Sequence, residues 1–108
     1  MNCAEQMNHI ERFQLYLLYL ENGNYIQAAF VAAQNAYRKG RRYGRSIWIE
    51  EVQHCLENAG LWDNSVADLV RRAELYGEYD PLIDYLLNHG ARYEKPHWLG
   101  RGTSGLSL

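Results

Sequence analysis

The sequence predicts an all-α domain, a five-helix bundle of stacked antiparallel helical hairpins that is α-solenoid-like in arrangement. Three observations lead there. Apolar residues recur at three- and four-residue steps through most of the chain, and a glycine follows each such stretch. No stretch of useful length alternates apolar and polar residues as a half-buried strand does. With 108 residues, 47% of them hydrophobic and 13% aromatic, the chain has the length and apolar content of one cored domain. Residues 1–99 are read as that domain. Residues 100–108, GRGTSGLSL, lack periodicity and are expected to form a flexible tail.

The first helix is expected from about Ala4 to Asn22, with Met7, Ile10, Phe13, Leu17 and Leu20 as its apolar stripe. Gly23 then supplies the left-handed conformation that closes a helix. The second runs from about Tyr25 to Arg38, with Ile26, Ala29, Phe30, Ala33 and Tyr37 on one face, and ends at Gly40. Its alanines add almost no bulk, so a neighbouring backbone can come close. Ser46 is the expected cap of a third helix reaching Ala59, with the stripe Trp48, Val52, Cys55, Leu56 and Ala59. Ser65 and Asp68 have the spacing of a capping box for the fourth, which carries Val66, Leu69, Val70, Ala73 and Tyr76 and stops at Gly77. Asp80-Pro81 reads as cap and first residue of the fifth, which buries Leu82, Ile83, Leu86 and Leu87 and stops at Gly90. The segment with Tyr93, Pro96, His97 and Trp98 is expected to lie back over the helices.

Three helix ends share a theme. ENG at 21–23, NAG at 58–60 and NHG at 88–90 each follow leucines and precede an aromatic residue, respectively Tyr25, Trp62 and Tyr93. The spacing hints at helical-hairpin repeats; the favoured reading is a general preference of helix ends for Asn and Gly.

Within the first hairpin, Leu15, Tyr19, Gly23, Tyr25 and Ala28 stand where a tetratricopeptide repeat places its large, turn and small packing residues, and the segment GNYIQAA resembles that family's inter-helix turn. Tyr16 replaces an expected small residue, Arg12 a typical aromatic and Asn35 a usual alanine. The C-terminal segment PLIDYLLNHGARY is similar to the second helix and following turn of an ankyrin repeat, without that repeat's Thr-Pro-Leu-His opening. The two resemblances share helix-turn-helix packing. They imply a helical-hairpin fold and a protein-binding role, and no single family.

Charge is unevenly placed on a chain of net charge −2. Arg38, Lys39, Arg41, Arg42 and Arg45 are five of the eleven basic residues and fall within eight positions that also hold Tyr43. Residues 46–90 carry nine acids against two bases. The basic loop admits three readings: a solvated connection whose Arg38 and Lys39 face the negative end of the second helix, a loop that docks on protein (including the acidic half of a second copy), or a phosphate-contacting loop with Tyr43 stacking on a base. One such loop makes few phosphate contacts, so nucleic-acid affinity would be weak and salt-dependent.

The nine tyrosines and three tryptophans exceed what five short helices need internally. Tyr16, Tyr19, Tyr76, Tyr79 and Tyr85 are expected near the edges of their stripes, where a polar tip on an apolar ring suits recognition. Trp48 and Trp62 are assigned to the core and Trp98 to packing of the tail. His9, His54, His89 and His97 show no metal-ligand spacing, and an enzyme would need His54 or His89 to meet a carboxylate in a pocket. Cys55 lies on an apolar stripe and is read as packing rather than nucleophile.

Cys3 and Cys55 form no CxxC pair and are read as reduced thiols of a cytoplasmic protein, one opportunistic crosslink being the alternative. The start MNCAEQMNHIER does not resemble a secretory signal, and the longest apolar run, Leu15–Leu20, is too short to span a bilayer. The functional expectation is a non-enzymatic protein–protein interaction module, a small regulator, adaptor or inhibitor, without cofactor or metal and forming a homodimer. Its contact residues would be Arg38, Lys39, Arg41, Arg42, Tyr43 and Arg45 with Tyr16, Tyr19, Tyr76 and Tyr79. The runner-up is a nucleic-acid-binding regulator using the loop at 38–45, with the third helix entering a groove.

Overall fold

The computed structural model describes residues 9–40 and 45–93, with side chains from residue 47 onward in the second stretch. It contains five helices and, among the described residues, no strand: α1 (His9–Glu21), α2 (Tyr25–Lys39), α3 (Arg45–Asn58), α4 (Asn64–Tyr76) and α5 (Asp80–Asn88). None of the helices is long and apolar enough to cross a membrane. The expected first turns of α1, the tail 100–108 and Pro96, His97 and Trp98 lie outside the described residues, as does Cys3.

Helix α2 is the centre of the fold. Nine of its fifteen residues are buried, among them five alanines, so it is enclosed on nearly every side rather than along one stripe. It packs against α1, α3 and α5, most extensively against α3, while α4 joins α3 to α5. The small alanine side chains allow this crowding. The one-faced stripe expected of this helix therefore understates its burial, and Tyr37, expected inside, points outward.

One apolar cluster draws on all five helices: Tyr16, Phe30, Val52, Leu56, Val66, Leu82 and Leu86 are among its buried members. Truncating a fully buried leucine in such a cluster costs about 2–5 kcal/mol. The stripes of α3 and α5 and most of that of α4 face inward, but Tyr76 is exposed. On α1 the expected stripe is rotated. Ile10 and Phe13 are exposed, and the fully enclosed residue is Tyr16.

The three Asn/Gly-marked helix ends close identically. The glycine N–H donates three residues back (Gly23 to Leu20, Gly60 to Glu57, Gly90 to Leu87), and the next N–H donates five residues back (Asn24 to Tyr19, Leu61 to Leu56, Ala91 to Leu86), all at 2.9–3.2 Å. This paired 6→1 and 5→2 pattern needs a left-handed residue, and Gly60 supplies it with φ of 75°.

Helix starts differ from expectation. Asp63, not Ser65, caps α4: its carboxylate accepts from the Val66 N–H at 2.9 Å and from the Ser65 hydroxyl at 2.7 Å. These bonds hold its carboxyl below the usual carboxylate range. Asp80 is the first residue of α5 rather than its cap, with Tyr79 preceding it. Helix α3 begins at Arg45, which leaves Ser46 inside the first turn.

Candidate functional site

The C-terminal end of α2 separates two clefts. The first, of about 660 Å³, lies between the start of α1, the end of α2 and the start of α3, and is lined by His9, Arg12, Phe13, Asn35, Arg38, Lys39 and Trp48. The second, of about 480 Å³, runs between α2 and α5 and is lined by Gln34, Tyr37, Arg38, Tyr79, Asp80, Ile83 and Tyr93. Arg38 stands on both.

The wall of the first cleft is built from inside. Phe13 and Trp48 meet edge to face at 6.1 Å, and Trp48 is backed by Tyr16 at 5.2 Å. Tyr16 is 2% exposed. Its hydroxyl donates to Glu51 Oε1 at 2.5 Å and lies 3.6 Å from Cys55 Sγ. Burial, then the bond to Glu51, pushes the Tyr16 phenol up and keeps it protonated. Burial likewise pushes the Cys55 thiol up, away from nucleophilic character. Cys55 is a free thiol.

At the floor of this cleft Asn35 is 4% exposed, and among the described residues neither its Oδ1 nor its Nδ2 has a hydrogen-bond partner. The contrast is Gln27, the other buried polar side chain of α2, whose amide donates one bond to the backbone of Arg92 and accepts one from it.

The second cleft is aromatic. Tyr37 and Tyr79 pack edge to face at 5.5 Å, and Tyr93 meets the buried Phe30 at 5.1 Å, so residue 93 does lie back over α2. Tyr37 and Tyr93 are each 65% exposed.

The expected contact set is thus redistributed. Arg38 and Lys39 are at the clefts, whereas Arg41, Arg42 and Tyr43 lie outside the described residues and Arg45 opens α3. Tyr76 is 72% exposed, and Tyr19 is partly buried against the core. Tyr16 and Tyr79 are not rim residues; both are buried, because their rings fill gaps beside Trp48 and Tyr37. Trp48 and Trp62 pack on the core as expected, although Trp48 also reaches the first cleft.

Sequence reasoning missed Asn35, Tyr37 and Tyr93 as surface-forming groups. Asn35 had a signal, an amide in an alanine-rich helix at a position where alanine is usual. His54 Nδ1 lies 3.9 Å from Glu51 Oε2, one turn earlier on the outer part of α3, while His89 bonds the Tyr85 carbonyl and stacks on its ring at 4.1 Å. No group of three or more His, Cys, Asp or Glu side chains that could hold a metal occurs among the described residues.

Comparison of the chain with protein-family models, curated proteins and solved structures finds no match.

Proposed function

We propose that this chain is a non-enzymatic protein–protein interaction module, a small regulator, adaptor or inhibitor that covers a surface of another protein. Its docking face is centred on the second cleft. The observation that carries this reading is Tyr37, exposed in the last turn of α2 beside Arg38 and opposite the exposed Tyr93. Tyrosine and arginine are the side chains that most often dominate binding energy, since each combines a broad apolar surface with a directed polar group. Ile83 on the floor adds apolar area between them.

A stacked-hairpin reading of the five helices suits that role; what supports it is that each helix contacts the next in the chain, with α5 also meeting α2. The free thiol of Cys55 accords with a cytoplasmic location. Exposed Ile10, Leu18, Ile47 and Leu75 support a homodimer, because the ends of a short helical stack need cover. Light scattering that detects only monomer at high concentration removes that element.

The test is capture of the partner from the native host with wild-type protein and with the Tyr37→Ala, Arg38→Glu double variant. The wild-type chain is expected to retain a protein that the variant loses. Retention by both sinks the proposed face. The second reading, a nucleic-acid-binding regulator, is favoured by the five bases between 38 and 45. A salt titration against single- and double-stranded DNA and RNA separates the two readings.

A further inference from the structure

The first cleft carries three constraints on what fits it, and it shares only Arg38 among its described lining residues with the protein-docking face.

The first is Asn35. An amide this buried is satisfied by a partner that presents a donor and an acceptor side by side, as Arg92 does for Gln27. A carboxylate or an ionised phosphate presents acceptors only. The second is charge. His9, Arg12, Arg38 and Lys39 line the cleft and no carboxylate is among its described lining residues, on a chain of net charge −2. The local field thus opposes the global one and favours an anion. The carbonyls ending α2 disfavour an anion, and Arg38 and Lys39 in that last turn offset them. Arg12, Arg38 and Lys39 also engage other groups of the chain. The third is the Phe13–Trp48 corner, which offers a ring face and a ring edge to a planar body.

A peptide segment meets the first two constraints but makes no special use of the third. A purine nucleotide meets all three. The edge of adenine pairs with an asparagine amide through two bonds, the 6-amino group donating to Oδ1 and Nδ2 donating to N7. Lys39 lies one turn beyond Asn35, about 6 Å along the helix axis, a span on the scale of one nucleotide. The volume falls in the range of small-molecule sites.

We propose that this cleft binds an adenine nucleotide unit, with the Asn35 side chain, whose amide atoms are buried in the unliganded chain, turned onto the base edge, the Phe13–Trp48 corner against the ring, and Arg12, Arg38 and Lys39 on the phosphate. The unit is either a free nucleotide or one residue of a single strand.

The test is an NMR titration of the full chain with AMP, IMP and inorganic phosphate, following the Asn35 side-chain amide and the Trp48 indole. AMP is expected to shift both signals saturably. IMP, which lacks the 6-amino group, is expected to bind about tenfold more weakly. Asn35→Leu removes a buried unpartnered amide, so its melting temperature should hold or rise while AMP affinity falls about tenfold or more. Asn35→Ala gives the same readout should leucine not fit. Oligoadenylate binding tighter than AMP identifies the single strand as the source, and equal binding identifies the free nucleotide. Two results overturn the proposal. One is an equal response of the Trp48 indole to AMP and phosphate that survives in Asn35→Leu, which reduces the site to charge attraction. The other is a glutamate-rich peptide that saturates both signals when AMP does not.

Discussion

The Gln27 side chain donates from Nε2 to the Arg92 carbonyl at 2.6 Å and accepts the Arg92 N–H on Oε1 at 2.9 Å, across 65 residues of sequence. The amide behaves as a short length of strand edge and ties the segment after α5 onto α2. It also sets Tyr93 over Phe30, where it lines the α2–α5 cleft. A buried side chain of the central helix thereby shapes the α2–α5 cleft.

Gln27→Ala removes both bonds. Arg92 is exposed and can turn to water, so the expected loss of stability is about 1–2 kcal/mol. The more specific readout is hydrogen exchange, which should accelerate at the Arg92 amide. Unchanged exchange there would mean the clasp does not hold the segment.

Tyr16 sets an alkaline limit. Its phenol is raised above the ordinary tyrosine value, so it stays protonated in the folded chain while the unfolded chain loses the proton near pH 10. A raised value of this kind contributes stability that is complete below the unfolded pKa and is lost as pH climbs above it. Stability should therefore fall above about pH 10, and Tyr16→Phe should flatten that fall at a neutral-pH cost of about 1 kcal/mol. Urea melts across pH 8–11 check this; equal slopes for the two proteins would refute it.

Asp63 acts at the acid end. Its depressed carboxyl contributes stability present above the unfolded value and lost as pH falls through the folded one. Asp63→Ala should lower the melting temperature at neutral pH, and the gap from wild type should close in strong acid. Asp63→Asn, which keeps an acceptor oxygen, should recover much of the difference. A gap that does not change with pH would assign the effect to something other than the charged cap.

Gly60→Ala isolates backbone strain. A Cβ at that position meets nothing within 4 Å, so no clash arises and the cost comes from φ alone. Destabilisation of about 1–2 kcal/mol is expected, seen as a lower denaturant midpoint with an unchanged slope. Neutral behaviour would show that the α3 terminus relaxes out of the left-handed conformation.

Much of the local structure was legible in the residues. Glycine after a periodic stretch marks where a chain must turn left-handed, so Gly23, Gly60, Gly77 and Gly90 fixed four helix ends to within two residues. Starts were less legible. Asp63, Asn64 and Ser65 are all competent caps, and which one serves depends on where the chain arrives from Leu61 and Trp62, which pack on the core.

Periodicity by itself determined that this chain folds as five helices, because the 3.6-residue repeat of apolar side chains and the glycine stops are properties of the local chain. Only the tertiary structure decided which helix lies in the middle. An alanine-rich helix can be enclosed on every side, and enclosing α2 is what turned Tyr37 out at its end, buried Tyr16 behind Trp48 and left the Asn35 amide without a partner among the described residues. Burial is a property of the neighbours a residue acquires, and those neighbours come from other helices, α1, α3 and the sequence-distant α5.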